Sequence, residues 1–256
     1  MPSSGVNVDA KPQREVLSLA DITARFESNL LDPALSDTEL TDGCHQAIDL
    51  GLASVLCRRA RVAVAAQALA GSGIPVGTAL NVDDGAWVDA SPAELTMAAD
   101  LVVEAGARDL ALLVASAQLR PDGRSELRER IMSVVASAAA CGGTARVVLM
   151  TSDLGPEQLR IACQVSAECG VDMVQGGAAL TDDRASLWQV ALMRRELGPT
   201  VLLKWASHVR SLDWLLVASA EGVDRFWGNV DAVLDQARTR QSWGERVQVP
   251  LVGVDY

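Results

Sequence analysis

Short apolar runs rich in β-branched residues alternate with amphipathic stretches along nearly the whole chain. The runs fall at Ala53–Cys57, Val76–Asn81, Asp109–Val114, Arg146–Thr151, Val171–Gln175, Val201–Lys204 and Val223–Trp227, with a shorter one at Glu27–Leu30. Each has the length of a buried strand, and the stretches between them carry the three-to-four spacing of helices packed on one face. Ser36 with Glu39, and Ser91 with Glu94 behind Pro92, form S-x-x-E patterns that start helices. Gly51, Gly106, Gly142, Gly170 and Gly198 stand where those helices should end. Eight strand–helix units spaced about 25–30 residues apart predict an α/β fold of the (β/α)8 TIM barrel type, with a closed parallel sheet. An open doubly wound sheet fits less well: the units are too many, and no G-x-G-x-x-G follows the first run. The expected organisation is a flexible tail at 1–16, a barrel at 17–240, and a C-terminal tail at 241–256 that could serve as a lid.

Composition narrows the class. The 256 residues are 49% hydrophobic and 21% charged, as in a globular chain. A formal net charge of −11 disfavours nucleic acid and anionic membrane surfaces as partners. No apolar run is long enough to span a bilayer and no signal-like segment opens the chain, so a cytoplasmic location is expected. Five cysteines, an odd number without C-x-x-C spacing, read as reduced buried thiols. With two histidines, His45 and His208, no metal site is expected, and no cofactor motif is present. The partner expected is a small molecule, with a homodimer as the oligomer considered.

Barrel enzymes carry their chemistry at the carboxyl ends of the strands. Only two of the 22 basic residues are lysines, and Lys204 interrupts the apolar run Val201-Leu202-Leu203-Lys204-Trp205. A lysine facing the barrel mouth would be desolvated and partly neutral, fit for imine or general-base chemistry. It could equally be a structural partner of Glu27 or Asp172. Asp83 and Asp84 could act as an acid–base pair, or simply form the turn that Asp-Asp-Gly favours. His208 lies close after the seventh run. Asn81, Thr151, Gln175, Trp205 and Asn229 also stand at strand ends, as candidate substrate contacts, with Trp205 and Trp227 able to wall a pocket. Tyr256, the last residue and the only tyrosine, could bring a phenol over the site or belong to a frayed tail.

Several of these segments resemble the deoxyribose-phosphate aldolases. Asn29-Leu30-Leu31-Asp32-Pro33 with Ser36-Asp37 is similar to that family's first strand and helix start, Ala53-Ser54-Val55 to its second strand, and Gly71-Ser72-Gly73 with Val76-Gly77-Thr78 to its third. Glu104-Ala105-Gly106-Ala107, Leu192-Met193-Arg194-Arg195, Gly198-Pro199 and Val201-Leu202-Leu203-Lys204 extend the likeness over about residues 20–238. The resemblance implies a class I aldolase barrel, a lyase working on a carbonyl substrate through a lysine imine. It also implies departures at the chemistry. The imine-forming lysine of strand six falls on Gln175, the strand-four aspartate on Ala111, and the strand-five glutamate on Met150, while strand seven keeps Lys204 and strand one keeps an acid, Glu27. The glycine-rich phosphate turn reads Trp205-Ala206-Ser207-His208, and the strand-eight turn reads Gly228-Asn229-Val230-Asp231. The expectation is a divergent aldolase-like lyase for a non-phosphorylated carbonyl compound of specialised metabolism, with Lys204 as imine or general-base residue and Glu27 and Gln175 orienting the substrate. The alternatives are a barrel reused for imine-free acid–base chemistry, as a cyclase, isomerase or dehydratase, and a catalytically degenerate binding protein.

Overall fold

A computed structural model describes residues 15–83, 86–119, 123–178 and 184–251. The chain alternates strand and helix: α1 (Leu19–Thr23), β1 (Glu27–Leu30), α2 (Asp37–Leu50), β2 (Ser54–Cys57), α3 (Val62–Ala68), β3 (Val76–Ala79), α4 (Pro92–Glu104), β4 (Ala107–Val114), α5 (Arg124–Ala140), β5 (Thr144–Leu149), α6 (Pro156–Glu168), β6 (Met173–Gly176), α7 (Leu187–Leu197), β7 (Leu202–Val209), α8 (Leu212–Ala220), β8 (Arg225–Gly228) and α9 (Val230–Ser242). The eight strands pair in parallel in chain order. One parallel bridge, Phe26 to Phe226, joins the ends of the sheet, with Phe226 N donating to Arg25 O at 2.8 Å. The result is a nearly closed TIM barrel. Both expected S-x-x-E patterns are capping boxes, at Ser36–Glu39 and Ser91–Glu94, and Gly51 ends α2 in the left-handed conformation. Such caps satisfy amide and carbonyl groups that a helix leaves open.

Strand alternation sorts the side chains into two layers. Leu110, Leu112, Val114, Val147, Leu149, Val174 and Leu203 face the helices and form the larger apolar core. Ala111, Leu113, Val148 and Ala178 form a second, smaller cluster. Asp83 lies in a two-residue strand, Val82–Asp83, paired antiparallel with Ala86–Trp87; Asp84 and Gly85 lie outside the described residues. The described part of the C-terminal tail runs beside the chain ahead of β1: Leu17 N donates to Val247 O, Val249 N donates to Glu15 O, and Val247 is buried. Tyr256 is outside the described residues. All five cysteines are unpaired, and burial pushes the Cys57 and Cys163 thiols up to about 12. Among the described residues, no helix is long and apolar enough to cross a membrane.

β7 outruns its predicted end at Lys204. Trp205 pairs with Phe226 and Val209 with Gly228, so Ala206, Ser207 and His208 stand opposite Trp227 alone. The surplus is taken up as a bulge, with His208 at φ 51°. Asn229 N donates to Val209 O, drawing the two backbones together at Gly228, where a Cβ would collide with the Val209 carbonyl oxygen. Gly228→Ala should therefore cost about 3 kcal/mol or more, by overpacking against backbone that cannot move aside. Thermal melting measures this, and a variant melting with the parent protein would contradict the bulge geometry.

Candidate active site

Strand alternation also puts charge inside the barrel. Arg146 on β5 is 1% exposed and its guanidinium reaches across to three strands. Nη1 donates to Glu27 Oε2 at 2.7 Å and to Gln175 Oε1 at 3.1 Å; Nη2 donates to Glu27 Oε1 at 3.0 Å. On its other side Nε donates to Asp109 Oδ1 at 3.2 Å, and Nη2 pairs with Asp109 Oδ2. Lys204 on β7 completes the group, with Nζ donating to Glu27 Oε2 at 2.5 Å. Two carboxylates and two cations thus close a neutral, water-excluded cluster. Charge-assisted, two-pronged bonds of this kind offset the large cost of burying ions. Gly77, in register with Asp109, makes room for it: a Cβ there would sit 3.1 Å from Oδ2.

The electrostatics follow from this wiring. Burial pushes Lys204 down from 10.5 to about 8; Glu27 opposes the shift and Arg146 adds to it. Burial alone would raise Glu27, but Arg146 and Lys204 outweigh it and hold the carboxyl at about 2. Asp109 goes the other way: burial raises it, and Arg146 only partly compensates. Arg146 itself is driven up by Asp109 and Glu27 against its own burial. At neutral pH the Lys204 amine therefore has an accessible neutral form beside a permanent carboxylate, which is what nucleophilic or general-base work needs.

Gln175 lies next to Lys204 in strand register. Its Oε1 accepts from Arg146 and its Nε2 donates to Gly177 O at 2.7 Å. Above it a small cavity of about 30 Å³ is lined mainly by Ala79, Ala111, Leu113, Val148, Gln175 and Thr78. The Thr78 hydroxyl, 1% exposed, has no hydrogen-bond partner among the described residues.

Other sequence candidates are committed elsewhere. Both ends of the Asn81 amide bond the Leu113 backbone at 2.8 Å. Trp205, next to the inward Lys204, turns outward and gives its Nε1–H to Ala185 O at 2.7 Å. Asn229 caps α9 by accepting from Ala232 N at 3.0 Å. Thr151 is buried in a 3-10 turn, and its carbonyl accepts from Gln189. His208 stacks on Trp227 with centroids 4.9 Å apart, and Arg210 approaches its Nδ1 at 3.0 Å. The structure brings together Glu27, Gln175 and Lys204, and adds Arg146 and Asp109, which sequence reasoning passed over. Both were findable: Arg146 interrupts the apolar run Ala145–Leu149 as Lys204 interrupts its own, and Asp109 opens another.

No protein-family model matches the chain. Individual proteins do. A deoxyribose-phosphate aldolase from Rhodospirillum rubrum is 32% identical over 212 residues, which is 82% of this chain and 86% of the relative. Deoxyribose-phosphate aldolase 1 of Cutibacterium acnes is 27% identical over 213 residues, 83% of this chain and 96% of the relative. Among solved structures, one assigned as a deoxyribose-phosphate aldolase from Coccidioides immitis superposes with a TM-score of 0.78 at 20% identity, covering 88% of each chain. The deoxyribose phosphate aldolase of Aeropyrum pernix gives 0.74 at 19% identity, covering 87% of this chain and 93% of that one. At those identities the structures show the barrel fold.

The cluster makes Arg146 and Lys204 unequal in a measurable way. Arg146→Met strands two buried carboxylates and should cost about 3–5 kcal/mol. Lys204→Met leaves Glu27 its two bonds to Arg146 and removes a desolvated charge, so stability should change by less than about 1 kcal/mol. A pH test separates them further. Folded Lys204 releases its proton near pH 8 and the unfolded side chain near 10.5, so the unfolded state binds more protons between those values and stability rises with pH there. Urea melts at pH 8 and 10 should show this rise in the parent protein and not in Lys204→Met. Equal slopes would contradict the lowered pKa.

Proposed function

Because this chain belongs to the deoxyribose-phosphate aldolase family, we propose that it is a lyase of the aldolase type, acting on a small non-phosphorylated carbonyl compound with Lys204 as its reactive amine. The observation that carries the proposal is the Lys204 amine, desolvated and held at 2.5 Å by Glu27 inside a barrel of this family. In the reaction, the neutral amine adds to the carbonyl carbon. The resulting carbinolamine takes up a proton and loses its hydroxyl as water to give an iminium. The β-hydroxyl of the substrate then gives up its proton as the α–β carbon–carbon bond breaks, leaving an aldehyde and an enamine. The enamine is protonated and hydrolysed by water to release the second carbonyl product and the free amine. Glu27 positions Nζ. Gln175, in strand register with Lys204 and part of the cavity wall, supplies an amide to orient a carbonyl or hydroxyl, and the unpartnered Thr78 hydroxyl offers a second contact.

Two features support a substrate without phosphate. The mouth cavity is lined largely by apolar side chains, which offer a dianion nothing in exchange for its hydration. In the turn that the resemblance implies for phosphate, Trp205 and His208 stand where small residues would expose backbone amides. Position 175, where the resemblance places the imine lysine, carries an amide that cannot form an imine. A second reading, proton transfer by Lys204 and Glu27 without an imine, is favoured by one observation: Nζ is already engaged by Glu27.

Borohydride trapping distinguishes the two. Incubation with glyceraldehyde or acetaldehyde and borohydride should add the reduced carbonyl mass to the peptide bearing Lys204, and Lys204→Met should show none. A protein that turns over a carbonyl substrate without ever being trapped would favour the imine-free reading. Deoxyribose 5-phosphate should be cleaved at least about a thousandfold more slowly than by a family member with a strand-six lysine, since covalent and acid–base contributions are each of that order. Turnover at family rates would show that Lys204 alone suffices and that phosphate is accepted.

A further inference from the structure

The carboxyl-end rim of the barrel holds another cavity, of about 380 Å³, between the start of α7 and the start of α8. Trp205, Trp214, Ser207, His208, Arg210 and Ser211 form most of its wall. Trp205 and Trp214 meet edge to face, with centroids 6.3 Å apart and planes at 67°. The polar edge of Trp205 is committed to Ala185 O, so its contribution to the groove is apolar. Beyond that contact with Trp205, Trp214 remains 54% exposed, leaving apolar indole surface open along the groove.

The charge of this groove is equally unmatched. Arg210 bonds the His208 ring through Nη2 at 3.0 Å, and among the described residues no carboxylate pairs with it. The nearest acid in sequence, Asp213, is paired with Arg240. His208 cannot balance that charge, since imidazole is either neutral or cationic; burial, then Arg210 and Arg184, lower its pKa. The geometry is held firmly. His208 is the only non-glycine among the described residues at positive φ, and it is clamped between the Trp227 ring and Arg210. Backbone strain of this kind persists only where surrounding contacts over-determine it.

We propose that this groove is a binding subsite for a planar aromatic carboxylate, with the ring lying against Trp214 and the carboxylate meeting Arg210. Indole faces reward flat, polarisable groups, and a guanidinium rewards a carboxylate with two parallel bonds. The Ser207 and Ser211 hydroxyls lie along the same wall as further donors. A phosphate without a ring would use one side of the site only, and an aromatic ring without a charge would leave Arg210 unmatched. The subsite belongs to the rim, apart from the Lys204 cluster inside the barrel, and it is read by equilibrium binding whether or not Lys204 forms an imine.

Calorimetry with 2-naphthoate, 2-naphthol and inorganic phosphate tests the assignment. Naphthoate should bind at least about tenfold more tightly than naphthol, the scale of one charge-assisted hydrogen-bonded contact, and phosphate should not displace it. Arg210→Gln should erase the preference for naphthoate and leave naphthol unchanged; Trp214→Ala should weaken both by about tenfold. Both side chains are exposed, so the variants should melt with the parent protein. Trp243→Ala, an exposed indole elsewhere, should bind as the parent does. Absence of naphthoate binding, equal affinity for naphthoate and naphthol, or an Arg210→Gln variant that keeps the preference would overturn the proposal. Naphthoate binding that survives in Lys204→Met, beside a failure to trap any carbonyl on Lys204, would sink the lyase proposal and leave this one standing.

Discussion

A guanidinium placed inside a β-barrel has no water to turn to, and Arg146 obliges the rest of the interior to answer it. Glu27 takes two of its bonds, Asp109 takes the opposite edge, and Gln175 accepts one more. These partners come from β1, β4 and β6, so a single side chain from β5 ties distant parts of the sheet together. Removing one member of such a cluster costs more than the cluster contributes as a whole, because the remaining charges stay buried. Lys204 is the member with most freedom: its partner Glu27 is held by Arg146 whether or not the amine is charged. The arginine thus stabilises the carboxylate, and the carboxylate in turn holds the amine.

The barrel interior is built in two tiers with different duties. The lower tier is charged and fully bonded. The upper tier, with Ala111, Leu113, Val148 and Ala178, is apolar and narrow. Gln175 touches both, bonding Arg146 below and lining the small cavity above. Low-dielectric surroundings are what bring the Lys204 amine toward neutrality, and the same surroundings disfavour a phosphorylated ligand. One physical cause accounts for both the proposed reactivity and the proposed substrate class.

The barrel was legible because strand length, helix caps and repeat count agree with one another. Ser36–Glu39 and Ser91–Glu94 are local signals and appear in the structure as capping boxes. Lys204 stood out because lysine is rare in this chain. Arg146 did not, since arginines are common in it, although it breaks an apolar run in the same way. Asn81, Trp205 and Asn229 drew attention by their strand-end positions, and the structure engages them with Leu113, Ala185 and Ala232. Position along a strand predicts nearness to the mouth; it cannot say whether a polar group is already bonded to backbone. The β7–β8 bulge was hidden for a related reason, since it is set by backbone register between Val209 and Gly228 rather than by a side-chain pattern.

The buried cluster leaves Lys204 with an amine readily deprotonated near neutral pH. With only two lysines in the chain, lysine labelled with carbon-13 at Cε gives a spectrum of two resonances, and Lys204→Met assigns them by loss of one. Titration followed by nuclear magnetic resonance should show the Lys204 signal moving with a midpoint of about 8. A midpoint in the ordinary lysine range, near about 10.4, would show that Glu27 holds the ammonium as a structural ion and that Lys204 is no reactive amine.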